Sequence, residues 1–208
     1  VPIFSIIGNH DYNTETTQAV SGEDLTIQNF YGVAMRQMED IVIYDDYLDY
    51  YYIDDQSKTA IVCLQTGKTN GSYHLDQNVA LAAILPSLPE NVIIISHLLV
   101  RTENGEAVTN ANWNTLVNGS TAKPGLNGMT GKEKIKCIVC GHLHFDWTTY
   151  KDNFRLIVTD TNSYKSDPTT KGTLNELAFD VLTFDYTTNT CEAVRIGRGA
   201  DRSISLTS

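Results

Sequence analysis

Three apolar runs of strand length each lead into a short polar segment that carries histidine. Residues 2–7 precede Gly8-Asn9-His10-Asp11, residues 92–96 precede His97, and residues 135–140 precede Gly141-His142-Leu143-His144. Short runs of Ile, Val and Phe broken by Gly or Asn read as buried strands that end in loops. In open sheets, ligands and catalytic groups collect at such strand ends, where a rigid scaffold holds side chains whose backbone has left the ladder. Four of the five histidines stand there, so the same three segments carry both the fold and the candidate chemistry.

The rest of the pattern is mostly strand. Residues 41–44 and 48–53 carry Ile, Val and Tyr, and a polar turn from Asp54 to Lys58 precedes Thr59 to Leu64, which predicts a hairpin. Leu75 to Leu85 is rich in Ala and Leu, with apolar positions three and four apart, and Pro86 with Pro89 stops it, so a helix is expected. Further strands are expected at 134–140, 156–159, 178–185 and 191–196. Residues 98–133, polar and rich in Gly, Asn and Thr, read as a long, ill-defined insertion. No repeat or linker divides the chain, which predicts one domain over residues 1–208. Many strands with few helices between them favour an α/β architecture of two stacked mixed sheets flanked by helices.

Charge narrows the function. Fifteen Lys and Arg stand against 25 Asp and Glu, a net charge of −10. Such a surface repels nucleic-acid backbones and anionic membranes, and no apolar window is long enough for a membrane helix. If the substrate is itself a phosphate ester, something cationic must hold it, and a divalent metal is the usual solution. Imidazole is a common ligand of transition metals, and a His-x-His pair serves two neighbouring metals or chelates one. Adding the amide oxygen of Asn9 gives an N/O donor set suited to Mn, Fe, Zn or similar ions.

The ordered set GNHD, then a lone histidine after an apolar strand (IIISH), then GHLH, resembles the calcineurin-like metallophosphoesterases. That family runs D-x-H, G-D-x-x-D, G-N-H-D or G-N-H-E, His, G-H-x-H, and this chain matches the second half. The resemblance implies an αββα sandwich with two divalent metals. Asn9, His97 and His142 would ligate one, and His144 the other. The metals would polarise the phosphoryl oxygens and lower the pKa of a shared water toward about 7, giving hydroxide for in-line attack. His10 would protonate the leaving oxygen, Asp11 would orient its ring, and Tyr12 would line the substrate pocket. GNHD, rather than an Arg-Gly-Asn-His-Glu motif, makes the chain look more like the phosphodiesterase and nucleotidase branches, with a small phosphoester as substrate. The tail Arg195 to Arg202 is similar to the ending of some bacterial and phage members.

The chain contains no Asp-x-His and no Gly-Asp, so it holds three ligands for one metal and one for the other. In the resembling fold the missing motifs end two strands beside residues 2–7. Their loss would expose a sheet edge, and the expectation is either upstream residues in the natural protein or a homodimer that covers the edge. Two other readings stand beside the phosphoesterase: a degenerate, non-catalytic metal-binding or structural module, and a mononuclear metal amidohydrolase built from His97, His142 and His144.

Other features have plainer readings. Cys137 and Cys140 have no second Cys-x-x-Cys, and three residues apart on a strand they face opposite sides. The four cysteines are expected to be buried, reduced thiols, which lean toward the cytoplasm. Asp45, Asp46, Asp49, Asp54 and Asp55 lack the pattern of a calcium loop and are expected in solvated turns. The tyrosines between 44 and 52 suit half-buried strands. His74 is expected at the surface, and Asn112, Trp113 and Asn114 are placed by location as a substrate rim.

Overall fold

The structure is a computed structural model. It describes residue 6 and residues 40–66, 73–103, 106–109, 111–143, 145–159 and 178–208, with backbone alone at 101–103 and 106–109. The first expected strand therefore lies outside the described residues, apart from Ile6.

A seven-stranded mixed sheet forms the centre. Its strands are β1 (Val42–Ile43), β2 (Tyr50–Asp54), β3 (Thr59–Leu64), β4 (Asn91–Ser96), β7 (Ile135–Cys140), β8 (Trp147–Lys151) and β9 (Phe154–Val158), in the spatial order β1-β2-β3-β4-β7-β9-β8. The four inner strands, β3, β4, β7 and β9, run parallel, and antiparallel partners close each flank. The hairpin predicted around Asp54 to Lys58 is β2–β3. A three-stranded antiparallel sheet, β10 (Ala178–Asp185), β11 (Thr190–Gly197) and β12 (Arg202–Ser205), stacks on one face of the large sheet.

The parallel strands are buried on both faces, which is why they are apolar throughout. One face of β3, β4, β7 and β9 turns Val62, Ile94, Ile138 and Leu156 toward helix α1 (Leu75–Ile84) and helix α2 (Ala111–Asn118), where they meet Leu81, Trp113 and Leu116. The other face turns Ile93, Cys137, Val139 and Ile157 onto Cys191, Ala193 and Ile204 of the small sheet. Two stacked sheets with helices are thus observed as expected. The outer side of the small sheet alternates as a strand with one wet face must, and leaves Phe179 and Val181 half exposed.

Helix α1 starts at His74, whose N–H donates to Gln77 Oε1 at 2.8 Å. It gives way at Pro86, and Lys134 Nζ caps the freed carbonyls of Pro86 and Leu88 at 2.7 and 2.6 Å. His74 is half-buried and stacks on Tyr47, with ring centroids 5.3 Å apart, rather than standing free at the surface.

The segment 98–133 corrects the sequence reading. It holds the hairpin β5 (Val100–Glu103) and β6 (Glu106–Thr109), then α2 and two short 3-10 turns. Helix α2 is polar on one side only, with Asn112, Trp113, Leu116 and Val117 buried. It ends at Gly119, φ +62°, where a Cβ would fall 2.2 Å from Gly125 N, so only glycine permits the return toward Pro124. Trp113 is a core residue and not part of a rim; its Nε1 donates to Asp152 Oδ2 at 2.8 Å.

All four cysteines are free and buried, with Cys137 facing the small sheet and Cys140 the helices. Burial pushes Cys63 up to about 12 and Cys191 to about 11, and raises Cys137 and Cys140 further. The folded protein should therefore titrate fewer than one thiol with a disulfide reagent at pH 8, and four in denaturant. Prompt native labelling of Cys63 or Cys140 would contradict this packing.

Candidate metal centre

Parallel pairing brings the histidine segments together. Strands β4 and β7 are neighbours, and Ser96 lies opposite Cys140. Both chains therefore leave the sheet at the same end, one into His97 and the other into Gly141-His142. The two rings meet edge to face with centroids 5.3 Å apart. Gly141 lies directly beside the His97 ring, close enough that a Cβ there would make an ordinary van der Waals contact with Nδ1 at 3.6 Å.

The backbone at His142 is unusual. Its φ is +74°, and Leu143 N donates to Gly141 O at 3.0 Å, closing a γ-turn of the rarer positive-φ kind around the histidine. A non-glycine residue held in such a region costs on the order of 1–3 kcal/mol, and residues of this sort cluster at functional sites.

Polar contacts fix the residues on either side of His97. Ser96 Oγ donates to Leu64 O at 2.9 Å, Leu98 N donates to Thr66 Oγ1 at 3.2 Å, and Asn112 Nδ2 donates to Leu98 O at 2.7 Å. Asn112 Oδ1 in turn accepts Tyr73 N at 2.9 Å. Asn112, expected at a substrate rim, instead braces the loop that follows His97.

Asp49 also departs from expectation: it is fully buried, not solvated. Its carboxyl accepts Gln65 N at 2.7 Å and Gln77 Nε2 at 3.1 and 2.9 Å, which fixes the residue before Thr66. Asp45 organises its own turn by accepting Tyr47 N and Asp49 N at 2.9 and 3.0 Å. Burial, followed by the neighbouring Asp45, raises Asp49 well above the usual carboxylate range. The nearby hydroxyls of Tyr44 and Tyr73 are raised too, by burial and by Asp49.

Of the residues the sequence nominates, His97 and His142 are brought together. Asn9, His10, Asp11, Tyr12 and His144 lie outside the described residues. Among the described residues no group of three His, Cys, Asp or Glu gathers. Two imidazoles whose rings meet at adjacent strand ends, one of them on a strained turn, fit as part of a nitrogen-rich donor set for a borderline divalent metal. A separate groove of about 420 Å³, lined by Lys132, Lys136, Tyr150 and Arg155, opens where β7 begins. The histidines stand beyond its other end, about 20 Å away along a six-residue strand.

The sequence model for the calcineurin-like phosphoesterases matches residues 1–146. It spans well over half of the chain, so the chain belongs to that family. No curated protein matches the chain closely enough to count as a relative.

His142→Gly should unfold at higher denaturant than His142→Ala, because glycine accepts the positive φ at about 1 kcal/mol less cost. Equal stabilities in urea titrations would show that the turn is unstrained. For Asp49, a folded pKa above the unfolded value of about 3.9 means a contribution present in full below that pH and lost as pH rises through the folded value. Stability of the wild type relative to Asp49→Asn should therefore decline from pH 4 upward; a flat difference would count against a raised pKa.

Proposed function

We propose that this chain hydrolyses phosphoester bonds with divalent metal, acting on a small phosphodiester or phosphomonoester. The observation that carries the reading is the convergence of His97 and His142 at the ends of adjacent parallel strands, in a chain of the calcineurin-like phosphoesterase family.

On this reading Asn9, His97 and His142 hold one metal and His144 the second, while the family's D-x-H and G-D-x-x-D ligands have no counterpart in these 208 residues. Bound metals would supply Lewis acidity toward the phosphoryl oxygens and an acidified water as nucleophile. His10 delivers a proton to the leaving oxygen, and Asp11 fixes the tautomer of its ring. Tyr12 lines the pocket beside them. The acidic surface then disfavours long polyanions and leaves small esters as substrates.

The test is Mn²⁺ binding together with hydrolysis of a bis-aryl phosphodiester, by the 208-residue chain and by the full reading frame that encodes it. The full protein should turn over with about two metals bound, and His97→Ala or His142→Ala should lower both. His10→Ala should cut turnover by about 10²–10⁴ with metal content nearly unchanged. Metal binding without turnover would instead identify a non-catalytic module, and cleavage of amides alone would identify an amidohydrolase.

A further inference from the structure

We propose that Arg195, with Asp180 and Arg202, is a positioning device for the histidine loop, acting through Asp146. The inference rests on reading His142 and His144 as metal ligands.

The small sheet buries an unusual amount of charge. The Arg195 side chain is 2% exposed and Asp180 is 1% exposed. Arg195 grips Asp180 with two donors, Nε to Oδ1 at 2.7 Å and Nη2 to Oδ2 at 3.1 Å, and Nη1 donates to Arg198 O at 2.8 Å. Gly199, φ +116°, lets the following turn lie on the guanidinium, since a Cβ there would come 2.7 Å from Nη1. Arg202 Nη2 also reaches Asp180 Oδ2 at 2.6 Å. The hydrogen bonds to Asp180 raise the Arg195 pKa further, so its charge is permanent.

This assembly reaches out of the small sheet to one loop. Arg195 Nη2 donates to Asp146 Oδ1, and Arg202 Nη2 lies 3.3 Å from the same oxygen. Arg202 Nη1 also donates to Val158 O at 3.1 Å, the last residue of β9. Asp146 is two residues beyond His144 and immediately before β8. The segment that leaves β7 at Gly141 is thus held at its start by the β7 ladder, along its length by Leu143 and Phe145 on the helix-side core, and at its end by the β8–β9 pairing that begins at Trp147 together with the two arginines on Asp146. Between these anchors lies the γ-turn at His142, a conformation that persists only where the surroundings over-determine it.

Stability alone is a poor reason for such a network. A buried ion pair often adds little over apolar packing of equal volume, and its better-attested use is to specify a geometry. Here the geometry specified is that of the segment that runs from the His142 turn to Asp146. Asp180, Arg195 and Arg202 lie beyond residue 146, where the family match ends. The brace therefore comes from the part of this chain outside that match.

The experiment compares Asp146→Ala with wild type in the 208-residue chain. Hydrogen exchange of the metal-free protein should speed up at least tenfold across residues 141–146, with β10–β12 unchanged because the Arg195–Asp180 pair survives. Mn²⁺ affinity by calorimetry should fall about 10–100-fold, the usual effect of removing a group that orients a ligand. Asp146→Glu should recover part of both. Unchanged loop exchange and unchanged affinity in Asp146→Ala, with His142→Ala abolishing Mn²⁺ binding, would overturn the brace and leave the metal centre standing. If His142→Ala leaves Mn²⁺ binding intact, the metal reading falls, and loop exchange alone then decides whether Asp146 holds the loop.

Discussion

The site depends on the parallel pairing of β4 with β7. Because the two strands run the same way, their ends coincide, and residues 45 positions apart in the chain, His97 and His142, meet without any long side chain having to reach. The register is fixed by burial on both faces, since a slip of one residue would exchange the helix-facing and sheet-facing side chains. One irregularity between Val92 and Ile93 sets it: Ile135 pairs with Val92, but Cys137 pairs with Ile93. That extra residue aligns Cys137 and Val139 with the small sheet and Ile138 and Cys140 with the helices. The distance between the imidazoles is therefore a result of core packing.

How legible this was in the sequence depended on how local each cause is. A strand buried on both faces must be continuously apolar, so β3, β4, β7 and β9 announced themselves, and the histidines at their ends were conspicuous. Helix α1 carried its own stop in Pro86. Strands β8 and β12 were missed because they are short and rich in Thr, Ser and charged residues, and owe their shape to a neighbour. Asp49 looked like a turn residue because its donors, Gln65 and Gln77, are 16 and 28 positions away. Asp146 and Arg195 are 49 positions apart. Polar satisfaction over such spans is a property of the folded topology, and no local pattern records it.

Electrostatics tie these parts together. The chain carries a net charge of −10, and the C-terminal ends of the parallel strands have acidic residues close by. Two of these, Asp146 and Asp180, are held by Arg195 and Arg202, so that four buried or half-buried charges cancel. Asp49 meets burial differently, by favouring its protonated form.

The chain also divides its labour. Up to Asp146 it supplies three of the four parallel strands and the segments that bear the histidines; beyond it, β9 adds the fourth parallel strand, β8 closes that edge of the large sheet, and β10–β12 cover one face. That cover does more than bury Ile93, Cys137, Val139 and Ile157. An apolar layer would bury them equally well, but it would remove the arginine contacts on Asp146 and leave the γ-turn at His142, which costs about 1–3 kcal/mol, held by the β8–β9 pairing and core packing alone. A guanidinium that Asp180 holds in the buried sheet by a two-donor fork turns a further donor onto Asp146, and so resists relaxation of that turn at a defined point. The second sheet thus serves as the reference frame against which the histidine loop is held.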